Sequence, residues 1–267
     1  MAEELVKLRI EGELAYVTLN RPEKRNAIGD GVLEALIEAA NKAEASEARA
    51  IVLSGEGQVF SAGVDFSSLS GAGSGGAGAK PSLARFRRSV AQSQAALNLL
   101  ESIEKPVIGA IHGYAGGLGL ELALACDARV AAAGTKLGMP EVRLGLIPDV
   151  GGTTRLTRTV GYAKAKELIM TARMIEASEA ERIGLVNKVV AAGQQIAGAE
   201  ELAREMARNA PLAVGMAKKV IDRGYNVDKM TFMDFEAIAQ SSLLLTEDFY
   251  EGANAAAQRR EPKFRGR

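Results

Sequence analysis

Apolar positions recur along the chain in two rhythms. Leu5 to Arg9 and Leu14 to Leu19 read as strands, and Glu11-Gly12 between them marks a hairpin. Asn20 to Asn26 is a polar, proline-containing loop. Asp30 suits a helix N-cap, and Leu33, Leu36 and Ile37 then share one face of a helix through about Ala45. Ala50 to Leu53 is a short buried strand, with Ser54 to Gly57 as the turn after it. Leu83 to Ile103 is a long helix with apolar residues at Val90, Leu97 and Leu100. Strands alternating with helices predict an α/β fold.

The most informative stretch runs from residue 106 to 149. Pro106 has no N–H and suits a strand start, and Val107, Ile108 and Ile111 continue an apolar run to Tyr114 that includes His112. The cluster Ala115-Gly116-Gly117-Leu118-Gly119 follows, then a helical segment from Leu120 to Cys126. Small residues at such a turn let the backbone approach a ligand, and a helix start leaves unpaired N–H groups facing outward. Glu121 lies beside those donors, Glu141 follows Pro140 and Asp149 follows Pro148. Carboxylates with apolar flanks beside free amides form a polarising site for acid–base chemistry.

Beyond Asp149 the pattern predicts helices over 152–159 and 163–171, a short one capped by Ser178 before Gly184, and a last strand from Leu185 to Val190. From Ile196 only helices are expected, over 196–208, 211–223, 228–245 and 247–259. That shift divides the chain into an α/β core, 1–195, and a helical C-terminal subdomain, 196–267. Ser67 to Ser82 holds GAGSGGAGAK, by composition a flexible loop, readable as a disordered insertion or as a lid beside the site.

Composition narrows the partners. Of 267 residues, 47% are hydrophobic and 25% charged, enough apolar material for a sizeable core. Thirty-three basic and thirty-three acidic residues cancel, so nothing in the balance favours nucleic acid or an anionic membrane. Cys126 is the only cysteine, which excludes an internal disulfide and reads as a small core residue in a reducing compartment. No apolar run approaches the roughly 20 residues that span a bilayer. The charged start MAEELVKLRIEGE is unlike a signal peptide, and a cytoplasmic location is expected. His112, the sole histidine, lacks a Ser–His–Asp or metal-ligand set and is expected to be structural, and no metal or nucleotide motif stands out.

The chain resembles the enoyl-CoA hydratase/isomerase (crotonase) superfamily. The resemblance is carried by Asn20-Arg21-Pro22 with Asn26-Ala27, Phe60-Ser61-Ala62-Gly63-Val64-Asp65, the 106–149 segment and Gly151-Gly152-Thr153. These stand in the family's order and extend to the ending Arg259-Arg260-Glu261-Pro262-Lys263-Phe264. No single motif is decisive, whereas four in order are strong. The resemblance implies a spiral of ββα units with a helical C-terminal subdomain. It implies an acyl-CoA substrate, no cofactor and a homotrimer or hexamer.

It also implies roles. The backbone N–H groups of Val64 and Leu118 would form the oxyanion hole, with Gly117 and Gly119 permitting the turn. Glu121 and Glu141, twenty positions apart, would hold one water, which one of them helps deprotonate while Glu141 delivers a proton to the α carbon. Burial and a like charge nearby should raise one of their pKa values. Asp149 stands where the dienoyl-CoA isomerases of the family carry a catalytic aspartate, and it also reads as a cap for the helix starting near Gly151. Arg25, with Lys24 as second candidate, would meet the coenzyme A phosphates. Ala27, Ala62, Gly63, Val64, Asp65, Phe66, Ser67 and Gly117 would line its path, although Ser67 and Ser68 stand where family members often have a lysine. The basic tail is readable as a contact to a neighbouring subunit's CoA or as a solvated terminus. Addition of water to a trans-2-enoyl-CoA is the leading expectation. Isomerisation of an enoyl- or dienoyl-CoA on the same donors is the alternative, and a non-catalytic, RNA-binding role a third.

Overall fold

Period-two alternation decides which face of each strand meets which layer. In β3 (Ala50–Gly55), Ile51 and Leu53 point into one core cluster, while Ala50 and Val52 point into another. In β4 (Val107–Ile111), Val107 and Ile111 face the first cluster, Ile108 and Ala110 the second. Both faces are covered, which is why these strands read as unbroken apolar runs. The computed structural model of the chain describes residues 4–29, 31–65 and 82–267. The expected cap Asp30, the path residues Phe66 and Ser67, and all but the end of the Gly-rich loop lie outside them.

β1 (Val6–Glu11) and β2 (Leu14–Leu19) form the expected antiparallel hairpin, in register Val6↔Leu19. From β2 onward the six-stranded sheet is parallel, in the order β1-β2-β3-β4-β6-β9, with β6 at Ala128–Ala132 and β9 at Lys188–Val190. A second sheet contains β5 (Tyr114–Gly116), β7 (Lys136–Gly138) and β8 (Ile175–Glu176). The chain steps from β4 to β5, through α3 (Leu118–Leu124) to β6, then to β7. Each step puts one strand in each sheet, which is the ββα spiral.

The first core cluster is closed by α1 (Val32–Ala45), through Val32 and Leu36, and by α2 (Leu83–Ser102), through Leu97 and Leu100. α4 (Gly152–Val160), α5 (Tyr162–Thr171) and α6 (Ala177–Arg182) follow. α7 (Gln195–Ala207) covers the other face of the large sheet with Ala199, Ala203 and Ala207. A Cβ on Gly198 would stand 3.0 Å from Val130 Cγ1, so only a small-residue stripe lets α7 lie this close. The first helix of the segment expected as a separate subdomain thus forms part of the core. α8 (Pro211–Gly224), α9 (Lys229–Leu243) and α10 (Glu247–Gln258) complete the chain.

Several local expectations need correction. His112 lies just past β4, where the strand has already ended, and its Nε2 meets Gly57 O at 3.0 Å. α3 begins at Leu118, two residues before its expected start, because the glycine turn itself feeds the helix. Ser178 lies inside α6, whose N-cap is Glu176. The last strand is shorter than expected, starting at Lys188. The basic tail is largely exposed, as a solvated terminus would be, and its backbone is tied down. The N–H groups of Arg265 and Gly266 donate to the buried Asp248 carboxylate at 2.6 and 2.8 Å, and Arg260 forks onto Glu251. Cys126 is buried, and burial pushes its thiol up to about 12, the behaviour of a core residue. Among the described residues, no helix is long and apolar enough to cross a membrane.

Candidate active site

The loop after β2 is held by one buried side chain. Asn26, in the left-handed region at φ 52°, accepts from the Arg21 N–H at 2.9 Å and donates to Glu56 O and Val59 O at 2.8 and 2.9 Å. Asparagine tolerates that conformation and satisfies three backbone groups at once. The loop then pairs with the segment carrying Val64: Ile28 N–H donates to Gly63 O at 2.7 Å and Asp65 N–H to Ile28 O at 2.8 Å. In such a parallel bridge the central residue bonds on neither side, so the N–H of Val64 points to the opposite edge. There the chain passes β5, with Ser61 bridged to Ala115, and reaches Leu118 at the start of α3.

Gly63 makes the approach possible. At φ +96° a Cβ would stand 2.5 Å from Gly116 O and 3.5 Å from Leu118 N. The N–H of Leu118 belongs to the first helical turn and has no partner within its helix. Val64 and Leu118 line one cavity, of about 520 Å3, together with Glu121, Glu141 and Asp149. Ala62, two residues before Val64, is bonded through its N–H to Arg25 O at 2.9 Å.

The acids come from three separate segments. Glu121, in the first turn of α3, is only 2% exposed, and its Oε1 accepts from Val150 N–H at 2.8 Å and Gly152 N–H at 2.7 Å. Burial raises its pKa to about 7, the two amides oppose that shift, and the charges of Glu141 and Asp149 add to it. Glu141 opens a short 3-10 turn, Glu141–Leu144, and its Oε1 lies 2.7 Å from where a Cβ on Gly117 would be. Its Oε2 is buried and has no hydrogen-bond partner among the described residues. Burial, then the charge of Asp149, raises Glu141, and burial raises Asp149. Three carboxyls with raised pKa values around one cavity can store and hand over protons. The rest of the wall includes the apolar side chains Leu33 and Ile37 of α1 and Phe86, Val90 and Leu99 of α2.

One expectation changes. Asp149 does not cap α4: the N-cap is Gly151, and no side chain bonds as a cap from that position. The carboxylate of Glu121 takes the amide of Gly152 instead. Asp65 faces Arg21 at 3.2 Å and Lys24 at 3.7 Å, so its carboxylate braces the loop beside Val64. Arg21 also donates to Ala27 O at 2.7 Å. Arg25 is exposed, its guanidinium carbon 5.4 Å from the Tyr114 ring centre. Sequence reasoning missed the Val150 and Gly152 amides as partners of Glu121. They lie 29 and 31 residues away, and only the Gly151-Gly152 pair hinted at a close backbone approach.

Residues 9–267 match the family model described as Enoyl-CoA hydratase/isomerase. The chain is 40% identical to a short-chain-enoyl-CoA hydratase of Clostridium acetobutylicum over 258 residues, covering 96% of this chain and 95% of that protein. It is 38% identical to a crotonyl-CoA hydratase of Syntrophomonas wolfei, covering 99% of each. The crystal structure of an enoyl-CoA hydratase from Bacillus anthracis superposes with a TM-score of 0.91 at 34% identity, covering 98% of this chain and 100% of that one. With a shared fold and matches across nearly its whole length, this chain belongs to the enoyl-CoA hydratase/isomerase family.

Proposed function

We propose that the protein adds water across the 2,3 double bond of a trans-2-enoyl-CoA to give the 3-hydroxyacyl-CoA. The observation that carries this reading is the shared cavity: Val64 and Leu118, the proposed backbone donors, line it together with Glu121 and Glu141. The thioester oxygen accepts from both amides, and negative charge developing there as an enolate is stabilised by ~3–4 kcal/mol per donor. A water held between the two glutamates attacks the β carbon, its proton passing to the Glu121 carboxylate. Glu141, whose pKa burial raises, gives a proton to the α carbon. Water is consumed, one C–O and one C–H bond form, and proton exchange with solvent resets the pair. The carboxyls and amides supply every step, so the reaction is written without a cofactor.

Arg25 and Lys24 are the cations proposed to meet the coenzyme A phosphates, with Ala27, Ala62 and Gly63 along the path beside them. Isomerisation remains a second reading because Asp149 opens on the same cavity with its own pKa raised. Self-association as a homotrimer or a dimer of trimers is supported by exposed apolar residues at Met230, Met233, Ile238 and Leu245. A cytoplasmic location is proposed with it.

Incubation with a 2-enoyl-CoA, following loss of conjugated absorbance, tests the reading. Hydratase activity predicts rapid loss. No loss, with turnover of a 3-enoyl- or 3,5-dienoyl-CoA, would replace hydration by isomerisation.

A further inference from the structure

The carboxylate of Glu121 is held from behind by a residue that never enters the cavity. Val150 and Gly152 aim their N–H groups at Oε1, and the chain between them turns through Gly151 at φ +98°. Arg155, in the first turn of α4, fills the space under that turn. Its Nη1 donates to Val150 O at 3.0 Å, and a Cβ on Gly151 would stand 2.0 Å from the same nitrogen. The rest of the guanidinium is committed to α2: Nη2 donates to Asn98 Oδ1 at 2.6 Å and Glu101 Oε2 at 3.0 Å, and Nε to Glu101 Oε1 at 3.3 Å.

Val150 is therefore gripped at both ends, its N–H by Glu121 and its carbonyl by Arg155. Arg155 is 6% exposed. A buried cation there adds little stability over a well-packed apolar side chain. What a planar fork gives is direction, because its N–H groups meet four acceptor atoms on three residues at fixed angles. Helix α2 also supplies Ala96 and Leu99 to the cavity wall, so one side chain ties that wall to the turn that serves Glu121.

We propose that Arg155, anchored on Glu101 and Asn98, is the positioning residue that keeps the Val150 and Gly152 amides aimed at Glu121. The consequence for turnover rests on the hydratase reading, whereas the positioning itself does not. The charged groups around Glu121 are Glu141 and Asp149 across the cavity, Glu34 of α1 at its wall, and Arg155 paired with Glu101 behind the turn. Slackening the turn weakens two donors to the carboxylate, which then keeps its proton to higher pH.

The test uses protein carrying 13C-carboxyl glutamate, with the Glu121 infrared band identified by its loss in Glu121→Gln. Arg155→Lys is expected to raise the titration midpoint of that band by about one pH unit, the scale of one charge-assisted hydrogen bond. Glu101→Gln is expected to raise it less, and Arg158→Met, an exposed arginine on the same helix, not at all. If the wild type hydrates 2-enoyl-CoA, the acid limb of kcat moves with the band, kcat falls about tenfold and KM changes less than twofold. An unmoved Glu121 midpoint in Arg155→Lys overturns the proposal. Should that variant not fold, Glu101→Gln decides by the same criterion. Absent hydration in the wild type refutes the hydratase reading and leaves the infrared result on Arg155 intact.

Discussion

Gly117 and Glu141 meet where a side chain would be: a Cβ on Gly117 would stand 2.7 Å from Glu141 Oε1. Gly117 also holds φ 53° and ψ −128°, which residues with a Cβ avoid, and it directly precedes the Leu118 donor. Gly117→Ala is expected to displace the acid and the amide together, lowering kcat at least about a hundredfold while costing roughly 1–3 kcal/mol of stability. Steady-state kinetics with chemical denaturation checks it. A variant with near-normal kcat would show that this contact does not matter.

Each of Glu121→Gln and Glu141→Gln is expected to lower kcat by about 10²–10⁴ without unfolding the protein, since amides of the same shape replace the acids. A variant of either kind with full hydratase activity would remove that acid from the mechanism.

The site lowers stability at neutral pH. Glu121 ordinarily titrates at 4.5 but in the fold at about 7. Between those values the native state holds a proton that the unfolded chain has released, so stability falls as pH rises through that window. Above pH 7 the loss reaches about 3 kcal/mol. Glu121→Gln, which cannot ionise yet still accepts from both amides, is expected to be the more stable protein at pH 8, with the difference shrinking toward pH 5. Denaturant titrations at the two pH values measure this, and a pH-independent difference would contradict the assignment.

Asn26→Ala leaves the groups at Arg21, Glu56 and Val59 without their partner. An expected loss of about 2–4 kcal/mol, with a fall in kcat as Val64 loses its backing strand, distinguishes this brace from a surface loop residue. Thermal unfolding and kinetics on one preparation suffice.

Much of this was readable from the residues. The glycine cluster and the strands of the parallel sheet are local patterns with local causes, whereas the pairing of Glu121 with Glu141 was implied by the family resemblance. What escaped depends on chain crossings. Asp149 precedes a helix and looks like its cap, yet the helix takes its carboxylate from Glu121, on another element. The pairing of Asp65 with Arg21, 44 residues away, is likewise a crossing that no local pattern announces. The helix Gln195–Ala207 resembles its helical successors in sequence, and only its alanine and glycine stripe, matched to the sheet, assigns it to the core.

Arg25→Ala is expected to raise KM for an acyl-CoA about three- to tenfold with kcat unchanged, as befits an exposed cation meeting phosphate. The effect should fade at high salt, where such pairs are screened. An equal fall in kcat would place Arg25 in the chemistry.

A crystal structure of the protein with an unreactive acyl-CoA bound would be decisive. The thioester oxygen is predicted to lie about 2.7–3.1 Å from the backbone nitrogens of both Val64 and Leu118, with the α and β carbons over Glu141 and Glu121. A thioester oxygen bound away from either amide, or an acyl chain whose α and β carbons face neither glutamate, would contradict it.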